Sequence, residues 1–447
     1  MVRGWVARAN KALSGGGLGS FLIRAVAGTG AVRILSMVAS FAVGVQLARG
    51  LGVTGYGYYG IGLSVMTLCG IPGEMGLPRL VTREVAAAAV RNDMPHLFGV
   101  IRWTNIVAMR ISAVMAVGIL IAAVILAKVR PSVLPLVLVA GAPIVPLMVL
   151  SRLRGGALQG LHHIVRGQIP ANFLRPVALS LLIFLSVAVG FRLDPALAIG
   201  LNAVSAGIAF LVARHWLAQR LPKEVPAETV RGGAHWLASS IPMALTDGMR
   251  VLQSELTTLL LGLLTIPAEV GLFRVSAATA FAAATPIAVI NHVAFPTVAR
   301  LYAEKDYARL QRAVTGLARA QFAGVLILSL PLILFPEFLL NLVFGAEFAS
   351  AAGVLRLLAL AQVVNAAFGP NVALLNMTHN ERSVTRSMAV GLAVNIVAVP
   401  LLATRWGGMG AAIAVFTSLL VWNVLTWIDG RRILGIDSSL MPATART

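Results

Sequence analysis

Cysteine is almost missing from this chain. The one thiol, Cys69, lies in an apolar segment, so an intramolecular disulfide is excluded and the residue reads as a small packing group. Charge is scarce as well. Only 12% of the 447 residues are charged and 58% are hydrophobic, giving a mean hydropathy of +0.87, which excludes a soluble globular domain. No GxxxxGK[ST] phosphate loop is present and "GGGLGS" at 15–20 lacks the lysine, so ATP hydrolysis by that route is excluded. Alternating ten-residue segments are missing too, which argues against a β-barrel. The N-terminal "MVRGWVARANKALSGGGLGS" has no short apolar core followed by a small-residue cleavage site, and it reads as a basic cytoplasmic tail. The paired His162 and His163 stand in a loop without cysteine or carboxylate companions, so neither a metal nor another cofactor is expected. "GYGYYG" at 55–60 follows no strand and precedes no suitably spaced acid. It reads as small-residue helix packing in lipid rather than a nucleotide fingerprint.

What is present is a series of long apolar runs. "ISAVMAVGILIAAVILA", residues 111–127, carries no charge over seventeen positions, long enough to cross the hydrocarbon as a helix. Hydropathy and breakers predict an all-α polytopic membrane protein of about twelve spans, near 21–48, 54–77, 104–127, 132–151, 169–190, 195–216, 236–264, 268–296, 315–338, 350–375, 384–404 and 408–429. The two tails and the even-numbered loops hold 26 of the 36 Lys and Arg residues. The opposite side holds five: Arg49, Lys128, Arg130, Arg192 and Arg405. That asymmetry predicts a multi-pass protein with both termini cytoplasmic, and it accounts for most of the net charge of +20 without nucleic acid.

Three pairs of segments echo each other at a shift of about 215 residues. "GYGYYGIGLSVMT" (55–67) resembles "EVGLFRVSAATA" (269–280), "LPRLVTREVAAA" (77–88) resembles "FPTVARLYAEK" (295–305), and "ALQGLHHIVRGQ" (157–168) resembles "LLNMTHNERSVT" (374–385). Six spans per half is an even number, so the copies share one orientation. The expected organisation is a six-helix lobe over 1–217, a polar cytoplasmic linker over 218–235 and a second six-helix lobe over 236–447, with a cavity between the lobes.

Charges inside spans are the sharpest signal, because each costs about 3 kcal/mol at the bilayer centre. Arg33, Arg110, Arg250, Arg274 and Arg356 sit within spans, with Glu74, Asp247 and Glu255 as intramembrane acids and Glu269 at an edge. A guanidinium offers a planar fork of donors suited to phosphate and pyrophosphate. For Arg110, Arg274 and Arg356, about six residues from a helix end, snorkelling to a headgroup is an equal alternative; Arg33 lies deeper. On the seventh span, Arg250 lies about 60° to one side of Asp247 and Glu255 about 80° to the other, so the three share one polar arc. Asp247 and Arg250 can neutralise each other, which leaves Glu255 as an unpaired site for a proton or sodium ion.

The order and spacing of "LARGLGVTGYGYYGI" (47–61), "GLPRLVTREVA" (76–86), "VFGAEFASAAGVLRLLALAQVVNAAFGPNVALLNMTHNER" (343–382) and "WGGMGAAIAVFTSLLVWN" (406–423) resemble the oligosaccharide flippase branch of the MOP exporter superfamily, the Wzx-type lipid-carrier translocases. The resemblance covers nearly the whole chain. It implies a MATE-like fold in the bacterial inner membrane and an undecaprenyl diphosphate-linked oligosaccharide as cargo, moved from the cytoplasmic to the periplasmic leaflet and driven by an Na+ or H+ gradient. It also implies polysaccharide polymerase and glycosyltransferase partners. Arg33 and Arg274 match cationic cavity positions of that family. Glu255 falls where many members carry an acid before an "LLLG"-like run, although aspartate is commoner there and "LTTLLLG" follows here. A lipid II flippase and an ion-coupled drug exporter are the alternatives within transport. An enzyme, whether a membrane glycosyltransferase or a polymerase, is disfavoured because the longest outer loop has only about ten residues.

Overall fold

Apolar runs without strand alternation have one way to satisfy their backbone in lipid, and every regular element among the described residues is helical. The computed structural model describes residues 18–129, 131–221 and 234–440, and within them leaves out the side chains of 18–29, 31, 234, 237–239, 241–247 and 250. In chain order the helices are α1 (Leu18–Glu74), α2 (Leu77–Arg91), α3 (Met94–Val129), α4 (Leu134–Gly141), α5 (Ile144–Gly160), α6 (Ile164–Gln168), a π-helical turn (Ile169–Leu174), α7 (Arg175–Ala188), α8 (Pro195–Ala218), α9 (Ala234–Leu264), α10 (Pro267–Ala283), α11 (Thr285–Ala303), α12 (Tyr307–Leu334), α13 (Pro336–Phe344), a 3-10 turn (Ala346–Ala351), α14 (Ala352–Ala367), α15 (Asn371–Met377) and α16 (Glu381–Leu434).

Eight helices among the described residues are long and apolar enough to cross a membrane, or up to nine if α10 and α11, bent by 42° at their junction, form one span. This is fewer than the twelve spans read from hydropathy. Part of the difference is that α1 and α16 run for 57 and 54 residues, each across an internal break. Gly52 breaks α1 at φ 64°, and Trp406 with Gly407 (φ 52°) breaks α16. The left-handed backbone at Gly52 and Gly407 favours glycine, since a Cβ is strained there. The expected boundaries at 48/54 and 404/408 fall on these two breaks.

The chain forms two compact units. One contains residues 1–46 and 65–248, the other 47–64 and 249–447. Each therefore includes a short piece of chain from the other side of the linker.

In the first unit, the segment read as a loop after the second span is the helix α2. Leu77, Leu80, Val81, Val85 and Ala88 recur at helical spacing and are buried, while Arg79, Arg83 and Arg91 are exposed. The buried stripe packs with Leu97 and Val100 of α3 and Leu150, Leu153 and Leu158 of α5. Close approach of α2 and α5 requires small residues: a Cβ on Gly156 would stand 2.6 Å from the Pro78 carbonyl oxygen.

In the second unit, a polar core secures the break between α14 and α15. The Asn371 amide donates to Asn423 Oδ1 (3.1 Å) and Thr426 Oγ1 (2.8 Å), and Asn423 donates to Asn365 Oδ1 (3.0 Å). Asn371, Asn423 and Thr426 are all buried. Truncating Asn371 to alanine leaves two buried acceptors without their donor, a loss of about 1–3 kcal/mol. The expected result is a fall of several degrees in the unfolding temperature of the purified protein; an unchanged transition would show that the network carries no stability. Beyond α16, Asp437 ties the chain end back. Its N–H donates to Gln311 Oε1 (2.8 Å), its carbonyl accepts from Gln311 Nε2 (2.7 Å) and its carboxylate accepts from Trp427 Nε1 (2.8 Å).

Candidate functional site

The echoing segments 55–67 and 269–280 contribute to one site in the second unit. A Cβ on Gly57 would stand 1.7 Å from the Pro267 carbonyl oxygen, and one on Gly271 would stand 2.2 Å from the Val53 carbonyl oxygen. Gly57 of "GYGYYG" and Gly271 thus let two helices meet backbone to backbone, as small-residue packing requires. Gly60 serves a different purpose. The Arg274 stem runs over it, with Cδ 2.3 Å from where a Cβ would be.

That stem delivers the guanidinium to a polar cluster among apolar helices. Arg274 Nη1 donates to Ser64 Oγ (3.1 Å) and to the Gly60 carbonyl (3.3 Å), and it lies 3.5 Å from Glu255 Oε2. Ser64 Oγ in turn donates to the same Glu255 oxygen at 2.7 Å. The Tyr56 and Tyr59 rings, 6.2 Å apart and nearly parallel, line the Arg274 side, and the edge of Phe348 closes on Tyr56. About a fifth of each charged side chain remains accessible, 18% for Arg274 and 21% for Glu255. The cluster is therefore a partly open ion pair.

This corrects the expectation that Glu255 stands unpaired. Its partner comes from α10, nineteen positions along the chain, and from α1, at Ser64; helical periodicity on the seventh span cannot reveal either. Asp247 and Arg250 lie outside the residues whose side chains are described.

The other intraspan charges separate. Glu74 meets Arg152, whose Nη1 lies 2.6 and 2.9 Å from its two oxygens. Arg356 is exposed and donates from Nε to the Ile333 carbonyl at 3.0 Å. Arg110 is exposed on a face of α3 that also exposes Ile106, Met109, Val114 and Val117. Arg33 is exposed on α1 beside Ile34 and Leu35. Glu269 acts on the nearby backbone. Its Oε2 accepts from the Gly408 N–H at 2.6 Å, satisfying a donor just after the break at Gly407.

Ser64, Tyr56 and Tyr59 escape a sequence reading that weighs only charged residues. The serine sits four residues beyond the glycine that ends "GYGYYG", within an echoing segment, and that echo is the available signal. Arg152 and Arg175 read as loop residues, although Arg175 falls six residues inside the expected fifth span. Its fork, Nε and Nη2, donates to the buried Asn202 Oδ1 at 3.1 and 2.9 Å.

Long apolar helices around buried charge define a polytopic membrane protein, and comparison of the fold with solved structures narrows the class. A structure described as an inward-facing multidrug resistance MATE family transporter of the MOP superfamily superposes with a TM-score of 0.75 at 15% identity, over 90% of this chain and 94% of that one. The lipid II flippase MurJ, in an inward closed conformation, gives 0.70 at 12% identity, over 92% and 87%. The fold is shared with both of these structures. The chain belongs to the family described as Polysaccharide biosynthesis protein, whose family model matches residues 22–302, more than half of its length. No curated protein matches the sequence.

Proposed function

We propose that this protein flips an undecaprenyl diphosphate-linked oligosaccharide from the cytoplasmic to the periplasmic leaflet of the bacterial inner membrane. It does so by alternating access between two six-helix lobes, 1–217 and 236–447, with twelve spans and both termini cytoplasmic. The observation that carries the reading is the Arg274 guanidinium, held by Gly60 and Ser64 with Glu255 3.5 Å away. A permanently charged planar fork suits a diphosphate, and a carboxylate beside it supplies an internal counter-ion when the cargo is absent. Cargo binding draws Arg274 away from Glu255, and Glu255 carries a proton or Na+ inward on the empty return of the site, so that the ion moves in as the cargo moves out. The family resemblance proposes Arg33 as a further cargo-binding cation. The family membership supports a role in polysaccharide biosynthesis, in which glycosyltransferases would supply the cargo and a polymerase would consume the product.

A cationic drug is a poorer cargo for this site, because Arg274 repels it. Deleting the gene in its host should abolish the surface polysaccharide and accumulate the lipid-linked oligosaccharide on the cytoplasmic leaflet. A normal polysaccharide with altered drug resistance would contradict the reading in favour of a drug exporter.

A further inference from the structure

The first unit contains a second cationic niche that the transport reading does not use. It is lined by Ser151, Arg152 and Arg175 with the small walls of Ala171, Ala206 and Ala209, and its volume is about 20 Å³. That is room for one oxygen-sized group, since a water needs roughly 10–15 Å³. The Ser151 hydroxyl is buried, 3% exposed for the residue, and its Oγ has no hydrogen-bond partner among the described residues. An unsatisfied hydroxyl inside a membrane protein is costly, and this one lines a space flanked by two guanidiniums.

Each arginine is held in place by a local device. Arg175 is the first residue of α7, directly after the π-helical turn Ile169–Leu174, and the wider turn shifts its register relative to α6. The two bonds from Nε and Nη2 to Asn202 Oδ1 fix the plane of its guanidinium. Arg152 makes both of its bonds to Glu74 through Nη1 alone, so among the described residues its Nη2 and Nε donors are unspent. Glu74 thus already places a carboxylate against one arginine of the niche.

We propose that Ser151, Arg152 and Arg175 form an oxyanion site that admits one oxygen of a phosphate group, with Glu74 as a tethered competitor for Arg152. The Ser151 hydroxyl donates to that oxygen beside the Arg152 and Arg175 guanidiniums that line the niche, and the rest of the phosphate stays at the mouth. The site does not depend on the transport reading and does not involve Arg274.

Titration calorimetry with inorganic pyrophosphate tests it, using the full chain in nanodiscs of phosphatidylcholine. Saturable binding is expected. Glu74→Gln should tighten it about tenfold, a gain that misfolding cannot mimic, while Ser151→Ala weakens it several-fold and Arg175→Lys weakens it further. The same shifts should appear when the titrations are repeated in an Arg274→Ala/Glu255→Gln background, which strands no charge and separates this niche from the other site. Displacement of pyrophosphate by added polyprenyl diphosphate would assign the niche to a lipid-borne diphosphate, and lack of displacement to a soluble phosphate; either result supports an oxyanion site. No saturable binding, or binding unchanged by Glu74→Gln, Ser151→Ala and Arg175→Lys, would overturn it and leave a niche that holds only water. A protein that binds pyrophosphate in this pattern yet fails to flip lipid would sink the transport reading and leave this site standing.

Discussion

Replacing Arg274 with alanine is expected to weaken binding of a polyprenyl diphosphate at least tenfold and to abolish flipping. A hydrogen bond to a charged group contributes about 1.5–3 kcal/mol, so losing even one guanidinium contact to a phosphate reaches that range. Arg274→Lys keeps the charge but loses the planar fork, and its binding should fall between the two. Glu255→Gln is expected to act in the opposite direction on binding. It removes the carboxylate 3.5 Å from the guanidinium, so the cargo no longer competes with an internal anion. Flipping should nevertheless fall, because the exchange between cargo and carboxylate has been lost. Arg274→Ala alone strands Glu255 among apolar helices and destabilises the fold, whereas the double variant with Glu255→Gln strands no charge. If the double variant unfolds at the normal temperature and still does not bind, Arg274 acts on the cargo and not merely on stability. Normal binding by that folded double variant would show that the cargo does not use this guanidinium.

The second large effect is expected at Gly57. An alanine Cβ there would stand 1.7 Å from the Pro267 carbonyl oxygen and 2.5 Å from its carbon, and backbone cannot move aside as a flexible side-chain end can. The helix pair must part, and overpacking of this kind costs about 1–3 kcal/mol. Gly60 and Ser64 ride on the same stretch of α1, so parting the helices also pulls both acceptors away from Arg274. Gly57→Ala should therefore lower the unfolding temperature and flipping together. Gly118→Ala is the control: nothing lies within 4 Å of its added Cβ, and a helical Gly→Ala change is expected to be neutral or to stabilise slightly. Equal behaviour of the two variants in thermal unfolding would contradict the close approach.

Hydropathy makes the helical class legible, since runs such as 111–127 admit no other backbone solution in lipid. It also marks the breaks, since the boundaries at 48/54 and 404/408 bracket Gly52 and Gly407, although the helices run on through both as single elements. The α2 segment is hidden. Its arginines give it the composition of a loop, while its buried stripe at 77, 80, 81, 85 and 88 shows only at helical period.

At the site, charge inside a span is a good guide to Arg274 and Glu255 and a poor one to their relation. Depth along a helix ranks Arg274 beside Arg110 and Arg356, yet of these three only Arg274 faces a carboxylate among the described residues; Arg356 reaches a backbone carbonyl and Arg110 shares an apolar exposed face. Facing direction depends on which helices become neighbours. The repeat hints at this, because the segments holding Ser64 and Arg274 are echoes of one another.

Reconstitution tests the central claim most directly. Liposomes carrying equal amounts of folded wild type, Arg274→Ala/Glu255→Gln or no protein would be loaded with a polyprenyl diphosphate-linked oligosaccharide on one leaflet, and its arrival on the other followed with a membrane-impermeant glycosidase. The wild type is predicted to expose the sugar many times faster than empty liposomes, and the double variant no faster than they do. Equal rates for wild type and the folded double variant would contradict the assignment of this site to the cargo.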